Sequence, residues 1–175
     1  MTMMKKYCLL CLLSVLCLSM TCDEDSFCDM TGVAVTVIDN SGETFREVDD
    51  GQCPKEAMIL QIEPEWDATG YNSGKLTSPI VGLRIITLND FDDSHKAGSD
   101  VSEYFKTYPR ELCPNENTVY DSLENGTPID SWQTGYSCFK ALLKAPAPGD
   151  YAFRIDMKLK DSETLTCTTQ SIHLY

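Results

Sequence analysis

Residues 151–160, Tyr-Ala-Phe-Arg-Ile-Asp-Met-Lys-Leu-Lys, alternate without a break. Tyr151, Phe153, Ile155, Met157 and Leu159 fall on one side, and Arg154, Asp156, Lys158 and Lys160 on the other. A period of two belongs to a strand, whose successive side chains point to opposite faces; a helix needs 3.6. One apolar and one polar face marks an antiparallel strand with one side on a core. The pattern recurs along the chain. Val33, Val35 and Val37 share a side before a turn at Asn40-Ser41-Gly42. Met58, Leu60 and Ile62 alternate, as do Val81, Leu83 and Ile85, then Phe139, Ala141 and Leu143. Residues 164–175 are rich in Thr and β-branched side chains, and Asp161-Ser162-Glu163 suits the hairpin turn before them.

One stretch departs from this rhythm. Ser99-Asp100-Val101-Ser102-Glu103 has the spacing of a capping box, and Pro109 stops the helix it would start. The spacing predicts one short helix near residues 100–107. Six or seven strands with one such excursion describe a mostly β chain, an antiparallel β-sandwich. The Pro148-Gly149-Asp150-Tyr151 lead-in to the Tyr151 strand is similar to the late strand of immunoglobulin-like domains. Strand order is not legible at this level.

The N-terminus has a different logic. Lys5 and Lys6 precede an apolar, uncharged run over 7–20, which is too short for a spanning helix and has the layout of a secretory signal. Ser19 and Thr21 suit ordinary signal peptidase. Cys22 also occupies the place of a lipoprotein acceptor cysteine, although Ser19 and Thr21 stand where such signals usually carry Leu and then Ala or Gly. The expected organisation is a signal peptide over 1–21, a lipidated acidic tether over 22–30 and a sandwich over 31–175. Two acyl chains on Cys22 would hold firmly where one is marginal. The alternative is a secreted chain with Cys22 free.

The chain has 14 Lys and Arg against 27 Asp and Glu. Without Lys5 and Lys6 the formal charge is −15. Such a surface repels phosphate backbones and anionic headgroups, so neither nucleic acid nor a membrane bound through the protein surface is an expected partner. Of nine cysteines, three leave with the signal. The other six include Cys22, and none forms a CxxC pair, which disfavours zinc. Cys28 with Cys53, and Cys113 with Cys138, would each close a loop of about 25 residues, worth roughly 3 kcal/mol. Cys167 would then be the odd one, buried in the core.

Candidate sites are few. Asp90, Asp92 and Ser94 alternate like the first ligands of a calcium loop, but His95 stands where that loop needs Gly and Val101 where it needs Glu. A solvated acidic loop is the simpler reading, and no cofactor is expected. Glu63 and Glu65 are neighbours on one strand and lack the opposed geometry of a glycosidase pair. His95 and His173 accompany no nucleophile motif. Trp66, followed by Thr-Gly-Tyr71, and Trp132, followed by Thr-Gly-Tyr136, echo each other in polar stretches. As exposed rings they would stack on sugars; as packed rings they would cap the ends of the sandwich.

Four further runs carry a resemblance. Cys22-Asp23-Glu24-Asp25 resembles the acidic tract behind the lipidated cysteine of surface lipoproteins in the Bacteroides group. Asp121-Ser122-Leu123 resembles the O-glycosylation signal of Bacteroides secreted proteins, with Ser122 as acceptor. Residues 86–105 and 148–175 look like an uncharacterised family of small Bacteroides lipoproteins. That resemblance implies a location, anchored in the outer membrane and facing the surface or the periplasm; the family has no assigned activity, so it leaves function open. The function expected is non-catalytic: a binding module for glycan or peptide. The alternatives are a structural subunit contacting another envelope protein through a sheet edge and, more distantly, a hydrolase.

Overall fold

A computed structural model describes residues 27–67, 73–108, 123, 126–133 and 137–175, with the backbone alone at 132 and 133. The signal, Cys22, Tyr71, Cys113, Ser122 and Tyr136 lie outside the described residues.

The strands are β1 (Phe27–Cys28), β2 (Met30–Asp39), β3 (Arg46–Glu47), β4 (Gln52–Cys53), β5 (Met58–Trp66), β6 (Ser73–Thr87) and β7 (Phe105–Thr107). They continue with β8 (Ile129–Gln133), β9 (Cys138–Leu142), β10 (Gly149–Tyr151), β11 (Phe153–Leu159), β12 (Thr164–Thr168) and β13 (Ile172–Leu174). One sheet runs β3-β2-β5-β9-β7. The facing sheet carries β6-β11-β12, with β1 and β8 also paired to β6. A small third sheet, β10-β13-β4, closes one end. Set in chain order, β2-β5-β9-β7 against β6-β11-β12 is the ABED-against-CFG arrangement of a constant-type immunoglobulin sandwich. Every neighbouring pair within those two runs is antiparallel. Tyr151, the last residue of β10 and two before β11, donates its hydroxyl to the Ala147 carbonyl at 2.8 Å, the bond of a tyrosine corner.

The core lies between the sheets. Leu60 and Ile62 of β5 meet Phe153, Ile155 and Met157 of β11, all fully buried. The alternation of residues 151–159 is therefore realised as read, with one qualification. Asp156 faces outward, yet it is buried under the guanidinium groups of Arg84 and Arg154.

β6 departs from the expected register. Val81 is 37% exposed, while its neighbour Ile80 is 0%. Lys158 pairs with Gly82 but Leu159 pairs with Ile80, so Val81 is the extra residue of a β-bulge. The bulge resets the phase, keeping Leu76 and Ile80 inward before it and Leu83 and Ile85 inward after it. Simple alternation would have put Val81 in the core. Ile80→Ala is therefore expected to destabilise by about 2–4 kcal/mol, and Val81→Ala by no more than about 0.5 kcal/mol, in denaturant titrations. The reverse order would place the bulge elsewhere.

β9 also differs. Cys138 and Leu142 face the main core, whereas Phe139 and Ala141 face the other side of their sheet and Leu143 is exposed. There Phe139, Ile38 and Ile59 form a second buried cluster, covered by Phe45 and Tyr108. The Phe45 ring stands edge-on to Tyr108 at 5.6 Å and tilted to Phe139 at 6.0 Å. Asp39 holds the covering loop by accepting from Ser41 N at 2.8 Å and Arg46 Nη2 at 2.9 Å. Burial raises its pKa, but these bonds outweigh that and leave it below the usual carboxylate range.

The helix expected near residues 100–107 reduces to a single 3-10 turn, Ser102–Tyr104. Asp100 accepts from Ser102 N at 3.0 Å and from Ser102 Oγ at 2.6 Å, so the capping signal builds a local turn. Phe105 is then drawn into the core on β7, whose pairing with β9 overrides helix propensity. The Cys28–Cys53 bridge is not formed: both thiols are free and buried, in different sheets. Even spacing in sequence had no bearing on their placement. Cys138 is buried, and its expected partner Cys113 is outside the described residues. Cys167 is free and half-buried, more accessible than its role as the leftover core thiol implied.

Candidate functional site

The connections 88–101 and 143–148 meet at the end of the sandwich away from Phe27. Met30 pairs with Trp66 at one end of the sheet, and Asp39 pairs with Met58 at the other. Phe153 pairs with Thr87 at that second end, where both connections lie. Between them is a cleft of about 440 Å³ lined by Asp90, Asp92, Asp93, Lys96, Lys144 and Tyr151, with Phe91 and Pro146 among its apolar walls.

Its acidic side is held by its own carboxylates. Asp92 Oδ1 accepts from Ser94 N and His95 N, both at 2.8 Å, and from His95 Nδ1 at 2.9 Å. Asp90 Oδ1 accepts from Ala97 N at 3.1 Å, and Lys96 Nζ lies 3.3 Å from its other oxygen. Gly98, at φ 89°, completes the turn and donates to Thr87 O at 2.7 Å. The calcium alternation is thus committed to backbone amides and a histidine. Among the described residues no three acidic, His or Cys side chains are arranged to hold a metal ion.

Phe91 is the anchor. It is buried, stacked on Tyr104 at 5.2 Å and edge-on to Tyr151 at 6.0 Å. Tyr104 in turn donates to Asp92 Oδ2 at 3.4 Å and lies edge-on to the His95 ring at 5.0 Å. Lys144 caps it, with Nζ 4.5 Å from the ring centroid. An aromatic inside an acidic run was the signal for this loop's packing. Lys144 had none.

Among the described residues, the hydroxyl beside His95 is that of Tyr104, 3.2 Å from Nδ1. The same Nδ1 faces Asp92, and the histidine's Nε2 lies 3.6 Å from Glu103 Oε1. A triad would need a hydroxyl or thiol on that second nitrogen. His173 pairs with Asp150 at 2.7 Å across β10 and β13, on the exposed surface. Glu63 accepts from Gln61 Nε2 at 2.9 Å and Ser137 Oγ at 3.1 Å.

The hydrogen bond from His95, set against burial and helped by the turn amides, lowers Asp92 to about 2. A carboxylate held below its unfolded value near 3.9 contributes stability that is full above about pH 4 and is lost as pH falls through about 2. A carboxylate NMR titration is expected to find its midpoint near 2, rising toward 4 in His95→Ala. An unchanged midpoint in that variant would deny the histidine its role.

A family profile described as "Domain of unknown function (DUF5034)" matches residues 30–170. The chain belongs to that family. The match begins with the first residue of β2 and ends just past β12, so the DUF5034 region and the two-sheet body coincide. No curated protein matches the chain. Among solved structures, the C-terminal domain of the Streptococcus pyogenes antigen I/II-family protein AspA is similar at 14% identity and a TM-score of 0.33. The alignment covers 82% of this chain and 46% of that one, so this chain spans under half of its length. That overlap is too loose to carry over a role.

Of the aromatic echo, Trp66 and the Trp132 backbone are described, and both lie at the opposite end from the cleft. Trp66 ends β5 opposite Met30 and packs against the core. The Trp132 backbone pairs with Gly74 next to β1, so both tryptophans lie where the chain enters the DUF5034 sandwich. A second cavity, about 230 Å³, opens on the flank between the sheets, beside Leu83, Phe105 and Lys140. Lys140 is buried and donates to Thr107 Oγ1 at 2.7 Å. Among the described residues no helix is long and apolar enough to cross a membrane.

Proposed function

We propose that this DUF5034 domain is a non-catalytic binding module for a glycan or peptide, displayed on the outer envelope of a Bacteroides-type bacterium by a lipid on Cys22. The observation that carries this reading is polarity of the fold. The chain enters beside Trp66, and the cleft of Asp90, Asp92 and Asp93 lies at the other end. Ten residues of β2 at about 3.3 Å each separate the two ends by roughly 30 Å. Five residues from Cys22 to Phe27 reach at most about 17 Å, so an anchored molecule would hold its tryptophan end near the bilayer and present the cleft outward. Trp66 is thereby poorly placed to meet a ligand.

The cleft suits a ligand with hydroxyl and ammonium groups over a small apolar patch. Asp93 and Lys96 are exposed within it, and Phe91 and Tyr151 form its apolar part. The test is a glycan and peptide array probed with the mature domain, followed by titration of any hit. Replacing Asp93 and Lys96 by Ala is expected to weaken the hit by roughly tenfold, about one charge-assisted contact. Trp66→Phe is expected to leave it alone. Loss with the tryptophan and not with the cleft would move the site to the other end. Intact mass of the native protein tests acylation separately.

The alternative is a structural subunit docking by a sheet edge. Trp66, packed rather than presented, favours it. The edge strands do not, with two residues in β3, three in β7 and five in β12.

A further inference from the structure

The outer face of β6, β11 and β12 reverses the charge of the molecule. Arg84, Arg154 and Lys158 point outward there, around the carboxylate of Asp156, with one further acid, Asp100, bridged to Ile86 at the edge of β6. Arg154 grips that carboxylate with two bonds, Nε to Oδ1 at 2.7 Å and Nη2 to Oδ2 at 3.1 Å. Arg84, opposite Asp156 in register, adds Nη2 to Oδ2 at 3.3 Å. The Asp156 side chain is 5% exposed, while those of Arg84 and Arg154 are 61% and 42% exposed. The buried acid therefore fixes two guanidinium groups side by side. Each guanidinium has five N–H donors. Asp156 takes two from Arg154 and one from Arg84, and neither has another partner among the described residues. The others face solvent.

The surroundings narrow the ligand. Thr164, Thr166 and Thr168 stand opposite Lys158, Asp156 and Arg154 and are exposed. Gly82, opposite Lys158, keeps the face flat. Ile86, opposite Arg154, is buried, and two large apolar residues are exposed beside this face, the bulged Val81 at one margin and Leu88, next after Ile86 in the outward register, at the other. A protein interface would want an aromatic or aliphatic centre, and a neutral sugar would want a stacking ring. No ring is present among these residues, and the exposed aliphatic side chains, Val81 and Leu88, lie at the margins rather than at the centre. What remains is paired forks that match carboxylates, and a row of hydroxyls.

We propose that this face binds an acidic carbohydrate, a glycan bearing uronate carboxylates, with Arg84 and Arg154 on the carboxylate and the β12 threonines on neighbouring hydroxyls. The distant acids of the chain do not prevent this. At physiological salt they are screened beyond about 8 Å, while the contacting cations are not.

Titration with oligogalacturonate tests it, with the methyl-esterified oligomer as the uncharged counterpart and poly-glutamate as a polyanion without sugar. Binding of oligogalacturonate, weakened roughly tenfold or more by esterification and by Arg84→Ala, supports the proposal. Arg84→Lys should remain weakened, because a point charge does not replace a fork. Arg154→Gln serves as a second variant, and an unchanged melting temperature in either separates loss of ligand from loss of fold. Three results overturn the proposal: no binding by the unaltered domain, equal binding by the Arg84 variants, or poly-glutamate bound as tightly as the saccharide.

Discussion

Phe153→Ala is expected to destabilise the domain by about 3–5 kcal/mol and to weaken the distal cleft at the same time. Phe153 is 0% exposed at the start of β11. Its ring stands edge-on to Phe105 at 5.5 Å and to Phe91 at 6.4 Å. Truncation removes a large buried side chain and leaves a cavity that strands on both sides resist closing. Domains of this size have a total stability of about 5–15 kcal/mol, so one ring is a large share. Phe91 is also the residue on which the 88–98 connection packs. Losing its neighbour lets that connection shift, and the cleft with it. Denaturant titration reads the first effect. Hydrogen exchange at residues 90–97 reads the second. A loss under about 1 kcal/mol would mean that the core is not where these contacts put it.

Phe139→Ala is expected to cost a comparable amount, at least about 3 kcal/mol, without touching the cleft. Phe139 is 1% exposed, but it faces away from the main core, toward Ile38, Ile59, Phe45 and Tyr108. A sheet with one solvated face would tolerate this change. Here the 40–47 connection folds back over that face, and Tyr108 accepts a bond from Asn40 Nδ2 at 2.9 Å that fastens it. Truncation should therefore raise hydrogen exchange across 40–47 and leave 90–97 as before. The contrast with Phe153→Ala matters, because the two rings belong to clusters that share no residue. Equal disturbance of both regions would merge the clusters into one.

The strands were readable where one face is wet. Residues 151–159 alternate cleanly because their outer side meets solvent and their inner side meets β5. β9 misled because both its faces are buried, so Phe139 and Ala141 gave the phase of the minor cluster and hid Cys138 and Leu142. β6 misled because one inserted residue, Val81, resets its phase, and nothing in the local composition marks a bulge. The Ser99–Glu103 spacing read as a helix start because Asp100 does turn the chain, although the turn leads into strand β7. Strand order was out of reach, since pairing across the sandwich is a property of non-local contacts. Only the tyrosine at 151 hinted at it, through the Gly-Asp-Tyr lead-in.

The site was less legible than the fold. The acids at 90, 92 and 93 attracted notice, and they do line the cleft. Their work of holding amides and a histidine depends on turn geometry that spacing does not encode. Lys144 comes from a connection more than 40 residues away. Arg84 and Arg154 lie about 70 residues apart and meet only because β6 pairs with β11. The paired tryptophans were conspicuous by sequence, yet Trp66 is packed against the core.

The unbridged thiols have a kinetic consequence. A thiolate is the reactive form of cysteine. Burial pushes the Cys53 thiol up to about 11, and the same cause raises Cys28. At neutral pH both sulfurs are protonated and enclosed, so an electrophile reaches them only when the fold lets go. Cys167 is half exposed, though its thiol too is pushed up to about 11. It should react first, and the lag before Cys53 reacts would then time how often the small β4–β13 closure breathes. The molecule thus carries its own stopwatch, with its start and its stop written in two sulfur atoms.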